Sequence, residues 1–272
     1  MGVTMEGLID IHAHVLPQVD DGPSSLPESM GLLKEQENAG VRTIVATPHL
    51  RFGVYENTPA AIDAALRAVR RALEQEGSSL EVLQGAEVTF YEGLVRDLKE
   101  GQIPPFAGHG KYVLLELPYS HFPHGVRQLI FELQLEGVVP IIAHPERCDG
   151  IRQHPNLMTD LVQRGALGQV TAQSLLGFWG SAVQKTALTM VEHGLVHVVA
   201  GDAHDSTHRL GRLDEGMAFL ATTFGKSVAQ RFQENARRIV EGKPLRWNEP
   251  TAVSHAIPKR TFWSGLRGRH HH

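Results

Sequence analysis

The chain carries a single cysteine, Cys148, among 272 residues. No intrachain disulfide framework can form, which points to a reducing compartment and a cytoplasmic protein. Long apolar runs are also missing. None approaches the roughly 20 residues needed to cross a bilayer, so no membrane insertion is expected. The first residues lack a charged start followed by an apolar core, so no signal peptide is expected. There is no basic surplus: 26 Lys and Arg stand against 30 Asp and Glu, a net charge of −4, which argues against nucleic acid as a partner. Internal repeats and linkers are absent too. Residues 1–245 therefore read as one domain, near the usual length of an α/β barrel. Residues 246–272 read as a tail without periodicity, and its terminal His270, His271 and His272 as a purification-tag remnant.

Histidine, in contrast, is plentiful, and its placement is ordered. Six apolar runs end in a histidine or a carboxylate. Leu8-Ile9-Asp10-Ile11 runs into His12 and His14. Thr43 to Ala46 runs into His49. Val82-Leu83 runs through Gly85 to Glu87. Tyr112 to Leu115 ends at Glu116, and Val139 to Ala143 ends at His144. Val196 to Ala200 runs through Gly201 to Asp202 and His204. Helical stretches separate these runs: Pro27 to Asn38, Ala60 to Glu76 with Pro59 at its first turn and Gly77 at its end, Gly93 to Lys99, Gly125 to Leu135, Pro155 to Arg164, and Ala182 to His193. A further strand, Ala166 to Thr171, carries glutamine and threonine rather than a ligand. Two helices near Leu213–Phe224 and Val228–Glu241 close the domain. Seven alternations of short apolar strand and helix predict parallel βαβ units buried on both faces. The expected fold is an α/β, (β/α)7 TIM-like barrel, with an open doubly wound sheet as the alternative. In a barrel the active site lies at the carboxyl ends of the strands, where every one of these candidate ligands falls.

His12-x-His14 places two imidazoles on one face, roughly 7 Å apart along the strand, close enough to share an ion. Five histidines, two glutamates and two or three aspartates make at least nine potential ligands, more than the three that a single catalytic zinc takes from protein. They fit two or three ions with a bridging carboxylate, an arrangement that activates water and clamps phosphoryl oxygens. Mixed imidazole and carboxylate donors suit manganese, iron or zinc. The remaining histidines, His109, His121, His124, His154, His193, His197, His208 and His255, read as core or surface residues.

Asp10-Ile11-His12-Ala13-His14, Asp20-Asp21-Gly22, Thr47-Pro48-His49, Gly85-Ala86-Glu87, Leu115-Glu116-Leu117-Pro118, Ala143-His144-Pro145-Glu146-Arg147 and Gly201-Asp202-Ala203-His204 follow one another in order. Together they resemble the polymerase-and-histidinol-phosphatase (PHP) superfamily. More narrowly, they resemble its bacterial protein-tyrosine phosphatases of the CpsB/CapC type, which act on the tyrosine autokinases of capsule and exopolysaccharide synthesis. The resemblance covers about residues 8–240. It implies a distorted (β/α)7 barrel holding three divalent ions, often manganese. One ion would take His12, His14, Glu87 and Asp202. A second would share Glu87 and add Glu116 and His144. The third would take Asp21, His49 and His204, with Asp20 as a competing neighbour of Asp21. Arg147 and Arg209 fall where a guanidinium would grip the phosphate, and Asp202 is a candidate to assist the chemistry.

The expected reaction is direct hydrolysis of a phosphotyrosine protein by hydroxide that the ions generate, attacking phosphorus in line. A phospho-cysteine route needs Cys-x5-Arg, whereas Cys148 is followed by Arg152 four residues on, so Cys148 reads as a packing residue. Phe52, Tyr55, Phe122, Phe178 and Trp179 follow strand ends and are candidates to frame an aromatic substrate. A small-molecule phosphatase such as one for histidinol phosphate is the alternative, and a kinase-binding regulatory metal protein is the non-enzymatic one.

Overall fold

The computed structural model describes residues 7–50, 53–245 and 249–253. Its strands are β1 (Leu8–Ala13), β2 (Val41–Ala46), β3 (His49–Leu50), β4 (Glu81–Gln84), β5 (Glu87–Thr89), β6 (Tyr112–Glu116), β7 (Val139–Ala143), β8 (Leu167–Thr171) and β9 (Val198–Ala200). Its α-helices are α1 (Leu26–Asn38), α2 (Pro59–Glu76), α3 (Leu94–Lys99), α4 (Val126–Leu135), α5 (Asp149–Gln153), α6 (Asn156–Gln163), α7 (Ala172–Leu176), α8 (Ser181–Glu192), α9 (Leu213–Phe224) and α10 (Lys226–Val240). Every pairing is parallel. One sheet has the order β1-β2-β4, the other β3-β5-β6-β7-β8-β9.

The two sheets are one set of seven staves, two of which are broken. β2 and β3 are halves of a stave interrupted at Thr47-Pro48. Pro48 has no N–H to give to a ladder; instead its carbonyl accepts from Glu87 N–H, and Thr47 N–H donates to the Ala13 carbonyl. β4 and β5 are halves of a second stave, interrupted at Gly85-Ala86. The last stave returns to the first: Asp202 N–H donates to the His12 carbonyl (2.7 Å) and His14 N–H to the Ala203 carbonyl (2.8 Å). Seven staves match the alternation in the sequence. The breaks do not, because strand periodicity continues through them.

Alternate residues of the staves separate two apolar layers. Ile9, Ile11, Val45, Leu114, Ile141, Ala143, Val198 and Ala200 pack with Phe106 as an inner core. Leu8, Ile44, Val113, Leu115, Ile142 and Val199 face outward to the helices. β6 and β8 are buried throughout, which explains their lack of polar alternation. Helix α2 shows the outer packing. Thr58 caps it by accepting from Ala61 N–H, Pro59 opens it, and Gly77 ends it in the left-handed conformation. Its buried stripe is Ile62, Leu66, Val69 and Leu73, each worth about 1.5–3 kcal/mol of burial. Two short helices, α5 and α7, were not apparent from periodicity; at five residues each they are too short to show a repeat. The inner core fills the barrel, so the site is confined to its carboxyl rim.

Candidate metal centre

All nine ligand candidates converge at that rim. β1 carries His12 as its next-to-last residue and runs into His14, β3 begins with His49, β5 begins with Glu87, and β6 ends in Glu116. His144 follows β7 directly, and Asp202 and His204 lie just beyond β9. Glu87 is the hub. Its Oε1 lies 3.4 Å from His12 Nε2 and 2.9 Å from His144 Nε2. Its Oε2 lies 3.4 Å from His14 Nε2 and 2.9 Å from His49 Nδ1. Asp202 Oδ1 lies within 3.6 Å of His12, His14 and His204, and Asp21 Oδ1 within 3.6 Å of His49 and His204. Glu116, held by the Thr89 hydroxyl (2.7 Å), joins His49 and Glu87.

The imidazoles are aimed. His12 Nδ1–H donates to Gln169 Oε1 (2.9 Å), His14 Nδ1–H to Asp20 Oδ2 (2.6 Å) and His204 Nδ1–H to the Asp202 carbonyl (2.9 Å). Each bond fixes the tautomer and leaves the Nε2 lone pair facing the cluster, as the second partner of a metal-ligating histidine does. His12 Nε2 and His14 Nε2 sit only 3.2 Å apart. Two lone pairs that close, beside two carboxylates, call for a cation between them. His49 Nδ1 and Glu87 Oε2 are buried and, although 2.9 Å apart, make no aligned hydrogen bond with each other or with another group, a costly state unless something else satisfies them. The donors group within 4.8 Å as His14, Asp21, His49 and His204; as His12, His14 and Glu87; and as His49, Glu87 and Glu116. This set fits divalent cations bound by nitrogen and oxygen.

Charge follows the same logic. Burial pushes the Glu87 carboxyl up, but His12, His14 and His144 outweigh it and hold it well below the usual range. Burial is likewise outweighed at Asp202 by Arg147 and His12, and at Asp21 by His204 and Arg209. Burial, with His14 beside it, brings His204 down to about 4, so its ring is neutral near pH 7. Burial raises Asp10 to about 6. That carboxylate lies beneath the site, accepting from the His12 and Gly201 N–H groups.

Asp20 and Gln169 are the site residues that sequence patterning did not assign. Asp20 accepts from the His14 ring, from His49 N–H (3.0 Å) and from Gly22 N–H (3.0 Å). It orients ligands, while Asp21 faces them. Gly22 is required beside it: a Cβ there would stand 2.6 Å from the His14 carbonyl. Gln169 accepts from both the His12 ring and His144 N–H (3.4 Å), so β8 contributes an orienter where the other staves contribute ligands.

The two arginines reach the cluster. Arg147 Nη1 donates to Asp202 Oδ2 (2.7 Å) and Nη2 to Thr171 Oγ1 (3.2 Å), with its plane beneath the Trp179 ring at 4.6 Å. Arg209 Nη1 donates to Asp21 Oδ2 (2.7 Å) and Nη2 to His204 Nε2. Of the aromatic candidates, Tyr55 stacks on His49 (5.4 Å, 9°) and Trp179 on Arg147. Phe178 lies over Arg212 instead, and Phe122 packs beneath Arg127. Phe52 lies outside the described residues. Tyr119, absent from the sequence-based set, has its ring 5.5 Å from that of His144. Cys148 is buried, and its thiol donates to the His121 carbonyl (3.5 Å). His197 is buried away from the rim and accepts from Gly168 N–H (3.0 Å).

A split parallel barrel with a histidine–carboxylate cluster on its rim defines a class of metal-dependent hydrolases. A lactonase from Listeria monocytogenes has the same overall fold, with a TM-score of 0.51 at 13% identity over 87% of this chain and 92% of that one. The chain belongs to the CpsB/CapC family of capsular polysaccharide synthesis, whose model matches residues 8–241. It is 37% identical over 246 residues to the tyrosine-protein phosphatase YwqE of Bacillus subtilis, covering 90% of this chain and 96% of that protein. It is 30% identical over 239 residues to the tyrosine-protein phosphatase CpsB of Streptococcus pneumoniae, covering 86% and 98%. A crystal structure from work on YwqE and CpsB, described as unique metal-dependent tyrosine phosphatases, superposes with a TM-score of 0.88 at 37% identity, covering 91% of this chain and all of that one.

Proposed function

We propose that this protein is a metal-dependent phosphomonoester hydrolase that removes phosphate from tyrosine residues of a protein in capsule or exopolysaccharide synthesis. The observation that carries the reading is a nine-donor cluster with two guanidinium groups reaching into it. The likeness to YwqE and CpsB supports a phosphotyrosine protein as substrate; in this reading a bacterial tyrosine autokinase bears the phosphate, and the phosphatase works in the cytoplasm. In this reading residues 1–245 form one catalytic domain and three divalent ions occupy the cluster. His12, His14, Glu87 and Asp202 hold one. Glu87, Glu116 and His144 hold the second. Asp21, His49 and His204 hold the third. Manganese is the first expectation, with iron or zinc as alternatives.

When bound, such ions polarise phosphoryl oxygens and make water a better nucleophile at neutral pH. The chain's own residues do the rest. Gln169 and Asp20 keep the His12 and His14 rings turned so that Nε2 faces inward. Arg147 and Arg209 offer paired N–H donors to phosphoryl oxygens, a geometry that lysine cannot copy. Asp202 holds Arg147 in place through Oδ2 while Oδ1 faces the imidazoles. A phenolate leaving group, with a pKa of about 10, departs with little protonation, and no buried acid is required.

The test is phosphate release from phosphotyrosine peptides by protein stripped of metal and reloaded with manganese. Activity should vanish on chelation, return with manganese, and be lost in His144→Ala. Chelation-resistant turnover would refute the metal mechanism. Strong preference for histidinol phosphate would sink the tyrosine assignment.

A further inference from the structure

The ligand cluster and the two arginines can recognise a phosphoryl group, but nothing in them distinguishes the alcohol to which it is attached. That distinction must come from the rim. Six large hydrophobic side chains among the described residues are more than a third exposed. Three of them, Tyr119, Phe178 and Trp179, lie on the loops after β6 and β8, so exposed apolar surface concentrates where substrate enters. Phe178 is engaged by Arg212 at 4.7 Å. The other two turn toward the site.

Tyr119 is 48% exposed and Trp179 is 42% exposed, yet each is anchored from below. The Tyr119 ring tilts against His144, and its carbonyl accepts from Asp149 N–H (2.7 Å), which ties the loop after β6 to the turn that bears Arg147. Trp179 lies across the Arg147 guanidinium at 4.6 Å. Gly177 (φ +86°) and Gly180 (φ +90°) bracket the Phe178-Trp179 pair in left-handed backbone, so a tight turn joins α7 to α8 and leaves both rings partly exposed. Arg147 links the two walls: it stacks on Trp179 and its charge acts on the Tyr119 hydroxyl. That hydroxyl makes no hydrogen bond among the described residues, and Glu116, Glu87 and Asp202 are close enough for their charges to act on it as well.

We propose that Tyr119 and Trp179 are the walls of a slot above Arg147 and His144 that receives the phenyl ring of the substrate phosphotyrosine, and that this slot sets the preference for aryl esters. The inference rests on the phosphatase reading and names the part of the substrate that the cluster cannot read. A half-exposed aromatic face already held by its neighbours loses little freedom on binding a second ring. Such ring pairs add affinity beyond their buried area, in a range that corresponds to about three- to tenfold in KM for each wall.

The experiment compares KM for a phosphotyrosine peptide with Ki for inorganic phosphate, a ligand without a ring, in the manganese-loaded enzyme. In Tyr119→Ala and Trp179→Ala the ratio KM/Ki should rise about fivefold, and in Tyr119→Phe, which keeps the wall, it should stay within twofold of wild type. The ratio also separates the slot from a disturbed Arg147. Displacing that guanidinium weakens both ligands together and leaves the ratio alone. An unchanged ratio in both alanine variants overturns the slot while the phosphatase reading stands. Wild-type enzyme that releases no phosphate from the peptide overturns the phosphatase reading, and the slot with it.

Discussion

Asp20 offers the sharpest perturbation, because one buried carboxylate serves three ligand-bearing segments. Its side chain is fully buried, and it accepts from the His14 ring, His49 N–H and Gly22 N–H. Burial would raise its pKa, but His14 and the backbone donors outweigh burial and hold it below the usual range, so it is charged at neutral pH. Asp20→Ala strands all three donors. At about 1 kcal/mol each, the lower end for an unsatisfied buried group, the fold loses roughly 3 kcal/mol. For a domain of this size that is a fall of roughly 6–12 °C in Tm. The effect on metal is separate. Freed from Asp20, the His14 ring rotates or changes tautomer, and loss of such a partner costs roughly 10- to 100-fold in metal affinity. Asp20→Asn keeps shape and one acceptor oxygen but loses the charge that fixes Nδ1–H. It should melt within about 3 °C of wild type yet bind manganese roughly tenfold more weakly. Scanning calorimetry reads the first quantity and titration calorimetry of manganese into stripped protein reads the second. If Asp20→Ala bound manganese with wild-type affinity, Asp20 would not be the orienter of His14.

Three other predictions follow from the same structure. Arg147→Ala removes the donor to Asp202 Oδ2 and the guanidinium under Trp179; kcat/KM for a phosphotyrosine peptide should drop by about 10²–10³, Arg147→Lys should recover little of it, and a loss under threefold would contradict the phosphate grip. Burial lowers His197 to about 4, with Arg231 adding to the shift, and its Nδ1 already accepts from Gly168 N–H, so protonation sets N–H against N–H. The unfolded chain, with a histidine pKa of about 6.5, binds more protons between pH 6.5 and 4. Stability therefore rises with pH across that window and is lost as pH falls through it, by on the order of 3 kcal/mol. His197→Gln should flatten the slope of ΔG against pH relative to wild type in urea melts, and an identical slope would contradict the assignment. Cys148→Ser should keep kcat/KM within about twofold, since burial raises the thiol and a protonated thiol is a poor nucleophile; a complete loss of turnover would reopen the cysteine route.

The ligands were legible because two periodicities coincide at them. A strand's apolar run must stop where it leaves the core, and in a parallel barrel all such stops lie on one rim. A histidine or carboxylate at each stop is therefore a three-dimensional statement made in one dimension. Asp20 and Gln169 lack that signature. Gln169 sits inside β8, where a lone glutamine has no partner until β1 and β7 are laid beside it. Asp20 differs from Asp21 only by which neighbour the turn points at the cluster, and the turn packs so tightly that any Cβ at Gly22 would stand 2.6 Å from the His14 carbonyl, which no pattern records. The stave breaks at Thr47-Pro48 and Gly85 were hidden because apolar character continues on both sides. Phe122 was read as a rim residue from its place after β6, yet it packs beside Arg127, while Tyr119, three residues earlier, stands beside His144. After a strand end, direction is set by the turn, and turns carry little periodicity.

Backbone strain shows where the chain accepts a cost to assemble this centre. Among the described residues only five other than glycine have positive φ, and two of them are the ligands His144 (φ +30°) and Asp202 (φ +54°). Histidine and aspartate tolerate this region better than most non-glycine residues, yet each instance still costs on the order of 1 kcal/mol. The geometry gives the reason. His144 is the first residue after β7, and its left-handed turn sends the chain straight into the Pro145–Arg147 turn, so a ligand and its arginine lie three residues apart on the same mouth. Asp202 bends the chain just after β9 while its parallel pairing with the first stave continues to Ala203, so that its N–H reaches the His12 carbonyl and its carboxylate faces Arg147. Extended backbone at either position would carry the next residues up and away from the rim. The strained pair thus brings Arg147 to Asp202, and glycine at either site would relieve the strain only by removing the ligand itself.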